Sequence, residues 1–174
     1  SSMKNDTPHW HAIYTASRSE KKVRDRLNEQ GIENFLPIQT VVRQWKYRKQ
    51  KVDVPVISGM LFVRVTRQEQ IRVLETRGVV CYLRLRCESQ PAVIPDKQIE
   101  DFRFLIDYSD SAVEMINDTL EIGDKIRVIK GSLSGMEGEL IRYGGESKVV
   151  VRLSVLGYAA VTIPGSFVET IDSL

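Results

Sequence analysis

Over the first hundred residues, the apolar positions switch between two spacings. In HWHAIYTA, Trp10, Ala12 and Tyr14 fall on one side and Ile13 on the other, which predicts a strand. SEKKVRDRLNEQGI then places Val23 and Leu27 four apart among charges, a helix capped by Ser17 or Ser19 and stopped at Gly31. ENFLPIQTVV reads as strand, RQWKYRKQK as a charged tip, and VDVPVISGMLFVRV as the returning strand. RQEQIRVLETRG is a short helix with Ile71 and Leu74 as its apolar pair and Gly78 at its end. VVCYLRLR is β-rich. IPDKQIEDFRFLIDY is helical, with Pro95 near its first turn and Ile99, Phe102 and Ile106 as its stripe. The order β-α-β-β-α-β-α predicts an α/β sandwich, helices against a mostly antiparallel sheet.

Residues 109–121, SDSAVEMINDTLE, are acidic, small and weakly periodic, and read as a linker. Beyond Gly123 the helical spacing stops. KIRVI, EGELIRY, KVVVRLSV, YAAVTI and FVETI are five short β-prone runs, with Gly144–Gly145 a hairpin turn between two of them. Five strands in about 50 residues suggest a small, strongly bent barrel. The fold class is therefore α+β, with domain limits expected at 9–108 and 122–174.

Net charge is only +2, but it is unevenly spread. Residues 1–95 hold 17 Lys/Arg against 9 Asp/Glu, residues 96–124 hold 2 against 9, and residues 125–174 hold 6 against 5. A basic first half beside an acidic connector points to a polyanionic partner on one side only. Two cysteines, Cys81 and Cys87, are too few for a disulfide framework and fit thiols in a reducing cytoplasm. His9 and His11 lack zinc-type spacing, so no metal or cofactor is expected. No apolar run reaches membrane-spanning length, and the first ten residues carry no leader-like apolar segment. No Ser-His-Asp or Cys-His constellation is present, so a binding protein is expected rather than an enzyme.

VIKGSLSGMEGEL gathers Gly131, Gly135 and Gly138. A phosphate-binding loop needs G-x-x-x-x-G-K-[ST] before a helix. Here three residues separate the first two glycines, Met136 and Glu137 follow Gly135, and strand follows the loop. Glycines for tight turns in a barrel fit better. The run Gly123, Asp124, Val128, Gly131, Gly135, Gly138 resembles the KOW motif of SH3-like barrels, with Leu156-Gly157-Tyr158 at the trailing turn. The N-terminal Trp strand, basic helix, FLP, basic hairpin and VPVISGMLFVRV resemble the NusG N-terminal domain, as do TRGVV and PAVIPDKQIEDF. Over residues 9–172 the chain resembles NusG-type transcription factors, closer to the specialised RfaH and UpxY kind than to housekeeping NusG.

That resemblance implies a monomeric, cytoplasmic elongation or antitermination factor. Its first domain would take the RNA polymerase clamp helices in an apolar pocket of Trp10, Tyr14, Ile57, Met60, Phe62, Tyr82 and Ile94. Where the family often has Phe-Pro-x-Tyr, this chain has Ile57-Ser58-Gly59-Met60, so thioether replaces phenol. The upstream non-template DNA strand would meet Arg43, Trp45, Lys46, Arg48, Lys49 and Lys51 on the hairpin and Arg67, Gln68, Gln70 and Arg72 on the second helix. Arg18, Lys21 and Lys22 are further phosphate contacts. The barrel would hold a ribosomal protein or a termination factor. The alternative is a KOW-bearing ribosome or RNA-binding protein, against which the nearly neutral barrel weighs.

Overall fold

The computed structural model describes residues 7–118, 120–121 and 123–171. Contacts divide the chain into two units. One is drawn from residues up to Ile38 and from Val54 to Asp96, the other from Gln39 to Asp53 and from Lys97 onward. This cuts the chain differently from the expected domain limits, because the basic hairpin and the third helix fall in the second unit.

The first unit is a four-stranded antiparallel sheet with two helices. Its strands are β1 (His9–Thr15), β2 (Glu33–Phe35), β5 (Met60–Val65) and β6 (Val79–Tyr82), in the order β2-β5-β1-β6. α1 (Glu20–Glu29) buries Val23 and Leu27 completely, as their four-residue spacing requires, and Gly31 follows at φ +72. These side chains pack with Ile13, Ile32, Leu61, Val63, Val65, Val73 and Tyr82 in one cluster. Each fully buried aliphatic there contributes about 1.5–3 kcal/mol.

α2 (Arg67–Leu74) starts on a full capping box, Thr66 with Glu69. Its buried residue is Val73, not the expected pair: Ile71 is 61% exposed and Leu74 42%. Three apolar residues in eight leave the spacing open to either face, and packing against the sheet chose Val73. The expected FLP strand also divides: β2 ends before Leu36-Pro37, and Val56 N–H returns to Pro37 O at 2.8 Å.

In the second unit β3 (Ile38–Trp45) and β4 (Arg48–Pro55) form a separate two-stranded hairpin. α3 (Asp96–Tyr108) buries Ile99, Phe102 and Leu105, so the stripe runs through Leu105 instead of Ile106. The α3 side chain of Gln98 accepts from Ser154 N–H at 2.7 Å. All five expected C-terminal runs are strands: β8 (Asp124–Val128), β9 (Glu137–Tyr143), β10 (Glu146–Leu153), β11 (Gly157–Thr162) and β12 (Val168–Thr170). A sixth, β7 (Glu114–Ile116), lies inside the stretch read as linker and pairs with β11, completing the order β12-β8-β9-β10-β11-β7. Two interactions hold it. The Gln39 amide donates to Val113 O and accepts from Val113 N–H, at 3.1 and 2.8 Å. Lys148, 7% exposed, pairs with Glu114 and, at 3.5 Å, with Glu146.

Candidate functional site

Cross-strand partners share a face of a sheet, so register decides which of the expected pocket residues meet. Tyr14 is opposite Met60, Ala12 opposite Phe62, and Trp10 bridges to Ile94. These side chains line the face away from α1 and α2, with Phe35 stacked on Phe62 at 6.1 Å. Tyr82 is opposite Ile13, on the helix-covered face. The structure therefore gathers Trp10, Tyr14, Met60, Phe62 and Ile94 and leaves Tyr82 out. The Tyr82 hydroxyl donates to Gln70 O at 2.9 Å, and its ring meets His11 edge-on at 5.9 Å. Burial raises the Tyr82 pKa, with a smaller push from Glu69.

Of the gathered set, Trp10, Met60, Phe62 and Ile94 are buried and Tyr14 is 39% exposed. Beside Tyr14 lies the turn Ile57-Ser58-Gly59, where Ile57 is half-buried and Ser58 exposed. Gly59 takes φ +70 there, a backbone that glycine enters without strain. The surface this region offers is thus Tyr14 and the turn, with Trp10, Met60, Phe62 and Ile94 buried on the same face.

The basic tip is a two-residue turn, Lys46-Tyr47, between β3 and β4. Such a turn sets Trp45 opposite Arg48, and the Thr40 hydroxyl bond to Asp53 at 2.7 Å fits that pairing. Alternation then puts Arg43, Trp45 and Arg48 on one face and Lys49 and Lys51 on the other. These four cations and Lys46 are exposed, Trp45 is 52% exposed and Tyr47 96%. Arginine and indole side by side suit a phosphate with its stacked base.

Along α2, Arg67 and Gln68 are exposed. Gln70 is half-buried, its amide 3.5 Å from His11 Nε2, so it supports the core instead of the outer face. Arg72 is exposed but donates to Gln30 O at 3.0 Å. His11 is itself buried, with Nδ1 3.0 Å from Ala92 O. Desolvation lowers its pKa, the Ala92 carbonyl opposes the shift and His9 adds to it. Arg18 is exposed at φ +58, between β1 and α1, and Lys21 and Lys22 are exposed on α1.

In the glycine-rich loop the backbone donors point inward. Val128 N–H reaches Met136 O, Gly135 N–H reaches Val128 O, and Met136 N–H reaches Leu133 O, at 2.8, 2.8 and 3.0 Å. Those amides are not offered to a phosphate. Gly131 and Gly135 take φ +85 and +95, while Gly123 and Gly138 stand where neighbouring backbone crowds any Cβ. Val128 is buried and Asp124 exposed at the head of β8. Among the described residues no cluster of three or more His, Cys, Asp or Glu could hold a metal, and no helix is long and apolar enough to cross a membrane.

Sequence reasoning missed Glu20, whose carboxylate accepts from Gly59 N–H at 2.9 Å, and Gln39, which clasps Val113. Neither bond carries a sequence signal, since each joins residues 39 or more positions apart.

A family profile described as transcription termination factor nusG matches residues 8–103. Among solved structures, "Domain interaction in Thermotoga maritima NusG" is similar with a TM-score of 0.51 and 18% identity, over 95% of this chain and 98% of that one. That likeness speaks for the fold. Two more distant ones, "MjSpt4:Spt5 complex" in conformations B and A, score 0.34 and 0.29 at 16% identity. They cover 94% and 95% of this chain and 97% and 99% of theirs. No curated protein gives a significant match.

Proposed function

The chain belongs to the NusG family of transcription factors, and from that premise we propose that it is an elongation and antitermination factor acting by binding. The match over residues 8–103 carries the reading. The N-terminal region, over residues 9–108, binds RNA polymerase, and the C-terminal sheet from β7 onward is a KOW barrel for a ribosomal protein or a termination factor.

The polymerase clamp helices pack on Tyr14 and the Ile57-Ser58-Gly59 turn, over the floor of Trp10, Met60, Phe62 and Ile94. An exposed phenol ring beside half-buried Ile57 supports this placement, since aromatic anchors dominate interfaces. Tyr82 acts from the other face, as a strut between β6 and α2. The upstream non-template strand meets the hairpin at Arg43, Trp45, Lys46 and Arg48; Arg67 and Gln68 on the exposed side of α2 are a separate candidate for bases and phosphates. Bridging clamp and DNA holds the elongating conformation and suppresses pausing or termination. The factor works as a monomer in the cytoplasm, without cofactor, and is a specialised member of the RfaH and UpxY kind.

Single-round transcription with the matching polymerase tests the reading. Reduced pausing or increased read-through is expected. No association with polymerase, and unchanged pausing and termination, would overturn it.

A further inference from the structure

Glu20 opens α1, yet only 8% of it is exposed, while its neighbours Lys21 and Lys22 lie in solvent. A carboxylate hidden to that degree costs stability unless a donor meets it. The donor is Gly59 N–H, at 2.9 Å from Oε2. The same glycine's carbonyl accepts from Thr15 N–H at 2.8 Å, and Val56 N–H is held by Pro37 O. The turn Ile57-Ser58-Gly59 is thus fixed at both ends. The Glu20 carboxylate adds a side-chain acceptor to that fixation.

We propose that Glu20 is a positioning residue for polymerase docking, an inference that rests on the polymerase reading above. Through one bond it sets the peptide plane of Gly59, and so the direction in which Ile57 leaves the sheet beside Tyr14. Glu20 touches no partner. Its contribution is a turn already in the binding conformation, which lowers the ordering cost of association.

The test uses the full chain, core RNA polymerase and the Gly59 amide as a local reporter. Glu20→Ala removes the acceptor, and Glu20→Gln keeps an oxygen in its place. For Glu20→Ala we expect affinity by biolayer interferometry to fall about tenfold or more. Exchange protection of the Gly59 amide should fall with it, while the β1–β5 ladder amides keep theirs. Glu20→Gln should stay within about threefold of the unaltered chain.

Gly59→Ala gives an independent handle should Glu20→Ala not fold. Its Cβ meets nothing nearer than Thr15 O at 3.7 Å, but it strains φ +70 with Glu20 intact, and the same direction of loss is expected. A folded Glu20→Ala or Gly59→Ala protein that binds polymerase at full affinity would overturn the proposal. So would unchanged Gly59 protection in Glu20→Ala. Failure of the unaltered chain to bind would instead defeat the polymerase reading, while Gly59 exchange still reports whether Glu20 holds the turn.

Discussion

The two faces of the basic hairpin are unequal, and the difference is measurable. Arg43 and Arg48 flank Trp45 on one face, and Lys49 and Lys51 occupy the other. A single strand stacked on Trp45 meets the arginines and leaves the lysines to solvent. Each neutralised phosphate on a single strand contributes about 0.7 to the slope of log affinity against log salt. Arg43→Gln with Arg48→Gln should therefore flatten the slope by about 1.4. Between 50 and 200 mM salt, a fourfold change, the unaltered chain should lose about sevenfold more affinity than that variant. Lys49→Gln with Lys51→Gln carries the same change in net charge and should leave the slope nearly as it was. Fluorescence anisotropy on a labelled single strand, read at several salt concentrations, gives all three slopes. Equal flattening by both pairs, or a larger effect from the lysines, would refute the one-sided path. Trp45→Ala should weaken binding by about 1–3 kcal/mol at every salt concentration without changing the slope.

Tyr14→Ala should weaken polymerase affinity while leaving the melting temperature within a few degrees, measured by interferometry and calorimetry, since the ring is 39% exposed. Tyr82→Phe should cost about 1 kcal/mol in urea unfolding through the lost bond to Gln70, and leave polymerase affinity unchanged because it faces the helices. Burial depresses the His11 pKa below the ordinary 6.5, so the unfolded chain binds the proton first as pH falls. Stability should be full above about pH 6.5 and decline as pH drops through it; urea melts should show that decline and its loss in His11→Gln. Gly123→Ala should destabilise the barrel by about 2–3 kcal/mol, its Cβ falling 2.2 Å from Leu140 O, whereas Gly135→Ala, in open space at φ +95, should cost about 1 kcal/mol in the same assay.

The parts legible in the sequence were those whose cause is local. Val23 and Leu27 share a helix face through spacing alone, and Gly131 and Gly135 sit in a loop closed by hydrogen bonds within a few residues of themselves. Strand alternation showed which residues of β1 share a side. It could not show which side of β6 Tyr82 takes, because that depends on a register that shifts between Tyr14 and Thr15. A buried strand also masks its own period: in β1, Trp10 through Ile13 are all buried, so both faces look alike. Gln70 read as a polar outward residue because no spacing announces a buried His11 beside it. β7 was illegible for a related reason. Three residues in an acidic stretch carry no pattern, and the strand exists because β11 offers an edge.

That strand bears on how the C-terminal region is cut out for separate work. A fragment beginning at residue 122 leaves β7 behind, stripping the Tyr158–Ala160 backbone of its partner and exposing a bare sheet edge. It also removes Glu114 and leaves Glu146 as the carboxylate beside nearly buried Lys148. Aggregation of such a fragment would report the missing strand, not an inability of the five remaining ones to fold. A piece starting before Ser109 keeps both the edge and the ion pair covered.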